Sequence, residues 1–335
     1  MSDKYHWPIF GHKQAIQFLQ NSIEQEKLAH AYLFYGSKGL GKKMIANYFA
    51  SSIFCTSVDK KPCGQCQPCR LVAKNSYLDL YTLGKDDQEL SVENVREFMH
   101  SLQMANIYGN KKIAIIYNVE KINIFGANAL LKTLEEPPAN TLIILLSDNI
   151  NLLPATVISR CQLIKFQALK KEEMEEWISK FDFDESERQT IMNLSFGKPG
   201  LALQLMQENL DPWKKNCNFI IKLLSSNTFN IMQIIEKWFA LLKKENPEAR
   251  VSDLGQNTKV YIDYLEVMMR DLLWIKLDKP IVNQVFQSEL NNISSSYSSE
   301  QLLQNLTRLT DYKQKLNNNV NPQLLWENIF LNLPR

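Results

Sequence analysis

Short apolar runs alternate with amphipathic stretches through the first half of this 335-residue chain, and after residue 166 only helical patterns remain. Five runs, 31–35, 78–83, 112–117, 141–147 and 163–166, are rich in Ile, Leu, Tyr or Phe and short enough for buried parallel strands. Between them lie segments of helical period. The stretch 126–136 places Ala127, Leu130, Leu131 and Leu134 on one face, and Pro137-Pro138 stops it because proline has no N–H to extend the ladder. Such alternation predicts an α/β domain over 1–166, with a parallel sheet covered on both sides. Residues 167–208 predict a small domain of two or three short helices, interrupted by Gly197-Lys198-Pro199-Gly200. Residues 209–335 stay helical, for example at 219–224, 231–242 and 260–275, and predict an all-helical third domain.

Length and composition agree with this plan. A chain this long exceeds one ordinary core, and 45% hydrophobic with 22% charged residues is the profile of a folded globular protein. The net charge of +2 provides no chain-wide basic field, so any nucleic-acid contact is local or shared with partners. Asp3, Lys4 and His6 stand where a secretory signal would be apolar, and the longest strongly apolar run, 142–146, is far short of a membrane span. A cytoplasmic protein is expected. Four of its six cysteines crowd into 55–69, which in such a compartment favours metal over disulfides.

Gly36-Ser37-Lys38-Gly39-Leu40-Gly41-Lys42-Lys43 follows the first strand and opens a helix, the context of a Walker A phosphate loop. Gly36, Gly39 and Gly41 let backbone N–H groups turn inward around phosphates, and Lys42 stands where the phosphate-neutralising lysine belongs. The motif then breaks. Lys43 occupies the place of the Ser/Thr whose hydroxyl binds Mg²⁺, and a cation cannot ligate one. A second part of such a site is an acidic pair ending a later strand. Here that strand ends in Tyr117-Asn118-Val119-Glu120, with no acidic pair; Glu120 beyond the turn reads as a solvated charge, with a displaced acid of the site as the alternative. Two losses in one site predict a degenerate loop, vestigial or weak in its hold on nucleotide, and no intrinsic ATPase.

Cys55, Cys63, Cys66 and Cys69 form C-x₇-C-x₂-C-x₂-C, in which thiolates at x₂ spacing converge on one tetrahedral ion. A ferredoxin run would continue with Cys and Pro where this chain has Ala73 and Lys74, so zinc is favoured over an iron–sulfur cluster. Nothing nearby supplies a base or an open coordination position, so the expected role is structural. Cys161 and Cys217 read as ordinary buried thiols.

The run Asn128-Ala-Leu-Leu-Lys-Thr-Leu-Glu-Glu-Pro-Pro138, followed by Ser159-Arg160-Cys161, closely resembles bacterial DNA polymerase III clamp-loader subunits, which are AAA+ proteins. Phe10-Gly11-His12, the segment His30-Ala31-Tyr32-Leu33-Phe34, the four-cysteine insert and, less sharply, 321–333 are similar to the same family. The resemblance implies an AAA+ P-loop-type domain, a helical lid and a helical collar that holds a ring together. It further implies that Arg160 reaches the ATP site of a neighbouring subunit, whereas the residues alone leave a simple surface ion pair open for it. Motor subunits of the family, gamma and tau, carry Lys-Ser/Thr, Asp-Glu and a lid sensor arginine. This chain has Lys42-Lys43, Tyr117-Asn118 and, at the sensor position, Gly200. These departures match the family's non-hydrolysing ring member. The implied partners are motor subunits, the delta subunit and, through the complex, the sliding clamp and primed DNA. Two rivals stay open on sequence grounds: an active motor ATPase, and a zinc-dependent nucleic-acid-binding protein acting alone through Lys60, Lys61, Arg70 and Lys74.

Overall fold

The computed structural model describes residues 4–5, 7–85, 90–108, 111–208, 210–245, 251–316 and 320–333; Asp3 and His6 lie outside them. In chain order the first half runs α1 (Lys13–Glu24), β1 (Ala31–Tyr35), α2 (Lys42–Phe54), α3 (Gln67–Ala73), β2 (Leu80–Leu83), α4 (Val92–Ser101), β3 (Lys112–Ile116), α5 (Ile124–Glu135), β4 (Thr141–Ser147), α6 (Ala155–Ile158) and β5 (Gln162–Lys165). The strands form one sheet in the order β2-β3-β4-β1-β5, and every pairing is parallel. All five expected strands are present. β2 starts two residues late because Asp79, expected inside the strand, is instead a fully buried turn residue. Its two carboxylate oxygens accept the N–H groups of Ile107 and Tyr108, each at 2.8 Å.

Alternation along the strands sorts their side chains onto two cores. Tyr32, Phe34, Ile113, Ile115, Leu142 and Ile144 pack against Leu19 of α1 and Ile45 and Phe49 of α2. Leu33, Ala114, Ile116, Ile143 and Leu145 pack against Val95 and Phe98 of α4 and Leu130 and Leu134 of α5. Each such side chain taken from water contributes about 1.5–3 kcal/mol, which explains why strands buried on both faces read as continuous apolar runs. Asn123 caps the start of α5, its side chain accepting from the Gly126 N–H at 2.9 Å, so the helix begins at Ile124, two residues before the expected 126.

Beyond the sheet lie α7 (Lys171–Ile178), α8 (Glu185–Ser195), α9 (Pro199–Gln207), α10 (Asp211–Leu224), α11 (Thr228–Glu245), α12 (Val251–Lys276), α13 (Gln287–Ser294), α14 (Ser299–Leu316) and α15 (Pro322–Asn332). The chain divides into two compact units, Met1–Phe183 with Ser195–Leu203, and Asp184–Leu194 with Gln204–Arg335. In the second, Phe219, Trp238, Tyr261 and Trp326 bring aromatic rings from α10, α11, α12 and α15 together, with Trp238 5.0 Å from Phe219, 4.6 Å from Tyr261 and 5.4 Å from Trp326. The Trp238–Tyr261 and Trp238–Trp326 pairs are edge-to-face, an arrangement that contributes beyond its buried area. Among the described residues no helix is long and apolar enough to cross a membrane.

Candidate functional site

Parallel sheets gather their sites beyond the carboxyl ends of the strands, where loops from neighbouring strands meet. The loop after β1 lies there. Gly36 sits at φ +144°, and a Cβ would fall 2.2 Å from the Phe166 carbonyl oxygen, so only glycine fits. The loop turns into α2 at Gly41, φ +85°. His12 braces it from below, its Nε2–H donating to the Leu40 carbonyl at 2.9 Å, and burial pushes its pKa below the ordinary histidine value.

Lys42 is where the sequence places it, but its side chain is only 7% exposed and turned onto the chain itself. Its ammonium donates to the Gly36 carbonyl at 2.5 Å, the Ser37 carbonyl at 2.9 Å and Asp148 Oδ1 at 2.8 Å. Asp148, the residue after β4, carries no motif that marks it in the sequence. Tyr35 of β1 lies in register with Ser147 of β4, so the next residue on β4 arrives beside the loop. Lys43 holds its ammonium 5.0 Å from the centre of the buried Tyr117 ring, a cation–π contact between two residues that the sequence puts where Mg²⁺-positioning groups are expected. Glu120, expected as a solvated charge, is half-buried instead. Its Oε1 accepts the Asp148 N–H at 3.3 Å, and its Oε2 is buried without a hydrogen-bond partner.

The four thiols converge as their spacing predicts. Cys55 caps the end of α2 and Cys66 the start of α3, so two helix termini fix the geometry. All four sulfurs lie within 4.8 Å of one another, with Cys66 3.9 Å from Cys55. A tetrahedron of Zn–S bonds of about 2.3 Å has an edge of about 3.8 Å, so the cluster is compatible with one structural ion. Backbone N–H groups of Cys63 and Cys66 point at the sulfurs of Cys55 and Cys63, at 3.4 and 3.3 Å. Burial pushes the Cys66 thiol up, but amides of Cys69 and Thr56 and the neighbouring thiols outweigh it, leaving it lowered to about 6, whereas burial raises the thiols of Cys55 and Cys69. Thiolate is the form a metal takes.

Arg160 follows α6 and lies 34% exposed. Its Nη2 pairs with Glu135 Oε1 at 2.6 Å, and its Nη1 donates to the Thr156 carbonyl at 2.9 Å. Ser159 packs the turn through a 3.1 Å bond from its hydroxyl to the same carbonyl. Cys161 is half-buried rather than buried, packed against the core that includes Leu130 and Leu134; burial raises its thiol to about 12. Cys217 is buried as expected, its pKa raised by burial and by the charge of Asp271. Asp148 and Glu135 were not legible as site residues; the place of Asp148 directly after a central strand is the one signal by which it could have been found.

Comparison with known proteins gives matches over nearly the whole chain. The family described as DNA polymerase III, delta subunit, matches residues 11–170, and its C-terminal counterpart matches 215–334. The DNA polymerase III subunit delta' of Bacillus subtilis is 27% identical over 329 residues, covering 96% of this chain and 95% of that protein. Its namesake in Haemophilus influenzae is 28% identical over 305 residues, 88% of each chain. The tau/gamma subunit of Haemophilus influenzae is 33% identical over 172 residues, 51% of this chain but 25% of that relative. A solved gamma subunit-related protein from Thermotoga maritima covers 95% of this chain and 97% of its own, at 15% identity and a TM-score of 0.49.

Proposed function

Because the chain belongs to the clamp-loader subunit family of DNA polymerase III and matches the delta prime subunits closely, we propose that it is the ring member that does not hydrolyse ATP but lends an arginine to a motor subunit beside it. The observation that carries this reading is the contact of Lys43 with Tyr117. Both positions that would hold Mg²⁺ are filled by side chains that bind each other instead. Without a positioned metal and an acid to orient water, phosphoryl transfer loses its main electrostatic support.

Arg160 is the group through which the chain would act on its neighbour. The guanidinium has five N–H donors in a planar fork. The contacts to Glu135, Thr156 and Ser159 leave donors of that fork for a terminal phosphate. Cys55, Cys63, Cys66 and Cys69, whose sulfurs lie within 4.8 Å of one another, would hold Zn²⁺ as a staple for the 55–69 insert. In the same reading residues 1–166 form the AAA+ domain, 167–208 the lid and 209–335 the collar. The subunit then works with gamma or tau motors and the delta subunit to place the sliding clamp on primed DNA.

Steady-state ATPase of the purified chain, alone and reconstituted with motor and delta subunits, tests the proposal. Stimulated turnover that depends on this chain, together with none by the chain itself, is the expected pattern. Turnover by the isolated chain that is lost in Lys42→Ala contradicts it.

A further inference from the structure

An ammonium carries three donors and no acceptor, and all three donors of Lys42 are used inside the chain, on Gly36, Ser37 and Asp148. A phosphate reaching this lysine must displace one of them. Two are loop carbonyls, which a phosphate loop holds in place anyway. The third is an anionic oxygen 2.8 Å away, the kind of group a phosphate itself presents. Asp148 is not on a wandering segment: Gly36 donates to the Ser147 carbonyl at 3.2 Å, and the Asp148 amide is tied to Glu120.

A second contact closes the same loop from another side. The Gly200 N–H donates to the Gly39 carbonyl at 2.8 Å. Gly200 is the second residue of α9, and N–H groups in a first helical turn have no acceptor within their helix. Gly39 therefore caps α9. A Cβ at position 200 would lie 2.9 Å from the Gly39 oxygen and 3.2 Å from its Cα, so the approach requires glycine. Any larger side chain at the sensor position would push the helix off the loop.

We propose that this phosphate loop is sealed by its own chain, with Asp148 taking on Lys42 the place of a terminal phosphate, so that Asp148 is the residue that excludes nucleoside triphosphate. A triphosphate beside Lys42 meets a like charge on Asp148 and an ammonium already neutralised by it. The loop then serves as the seat of the first turn of α9 and not as a ligand cradle. This deepens the non-hydrolysing reading and rests on it for the assignment of the loop as degenerate.

Titration of the full chain with a fluorescent ATP analogue tests the proposal, using wild type, Lys42→Ala, Asp148→Ala, Asp148→Asn and the Asp148→Ala/Lys42→Ala double variant. Wild type should show no saturation up to ~1 mM, and Asp148→Ala should bind at least ~tenfold more tightly, a gain of about 1.4 kcal/mol. The gain should vanish in the double variant. Asp148→Asn keeps the size of the side chain and one acceptor while removing the charge, and it carries the test if the alanine variant does not fold. Saturable wild-type binding that Lys42→Ala abolishes overturns the proposal. So do folded Asp148 variants that bind no better than wild type. Turnover is read separately: wild-type binding without hydrolysis defeats this proposal alone, whereas wild-type hydrolysis defeats the non-hydrolysing reading.

Discussion

Arg160 and Glu135 form an ion pair of 2.6 Å that joins the turn after α6 to the last residue of α5. Both side chains are partly exposed, at 34% and 51%, so water screens the pair and it should contribute no more than ~1 kcal/mol. Arg160→Ala and Glu135→Gln should each leave the denaturant midpoint of the isolated chain nearly unchanged. A loss of ~3 kcal/mol or more in urea unfolding would make Arg160 a structural residue and remove the main ground for a role outside its own subunit.

The thiol cluster predicts about one zinc per chain. Elemental analysis of purified protein should find it, and Cys66→Ser should lower the content to near zero. Structural zinc is worth on the order of 10 kcal/mol in small domains, so strong chelation should expose 55–69 to protease before the sheet unfolds. Iron with acid-labile sulfide, or a metal content unchanged in Cys66→Ser, would contradict the assignment.

Restoring one Mg²⁺ ligand should not restore hydrolysis. In Lys43→Thr a hydroxyl returns, but Tyr117 and Asn118 still supply no acid, and Asp148 still holds Lys42. ATPase of the isolated variant should stay at background. A clear rise in turnover that Lys42→Ala removes would show that the second half of the site is intact.

In the helical unit, Asp271 is fully buried and accepts the N–H groups of Val282 and Asn283 at 2.9 Å each and the Asn283 side-chain amide at 2.6 Å. Burial raises its carboxyl pKa, against the lowering effect of these donors. Asp271→Asn is nearly isosteric yet points an NH₂ at N–H donors, and it should destabilise the protein by about 1–3 kcal/mol. Thermal unfolding measures this; an unchanged Tm would mean that the segment 282–283 is held by other contacts.

Much of the fold can be read from the sequence because burial on both faces leaves a plain signature. Residues such as Ile113 to Ile116 or Leu142 to Leu146 have no solvent side, so each strand is an unbroken apolar run. The cysteine site is legible for a similar reason: its ligands lie within fifteen residues and two helix ends position them. Lys42 with Asp148 is different. The partners are 106 residues apart, and only the register of β1 on β4 brings them together. Glu120 shows the same limit. A glutamate after a turn looks solvated until β4 places the Asp148 amide against it.

The central claim is that Arg160 works in a neighbour's site, and the most direct test compares complexes reconstituted with wild-type or Arg160→Ala protein. Assembly is checked by size exclusion, then clamp- and DNA-stimulated ATPase and clamp loading are measured. An arginine finger is worth ~10³–10⁵ in rate at one site; the whole complex should lose far less where its other sites keep arginines of their own. Arg160→Lys should rescue poorly because an ammonium keeps the charge without the planar fork. The account predicts normal assembly with reduced stimulated ATPase and loading in Arg160→Ala. Equal ATPase and loading by the two complexes would contradict it.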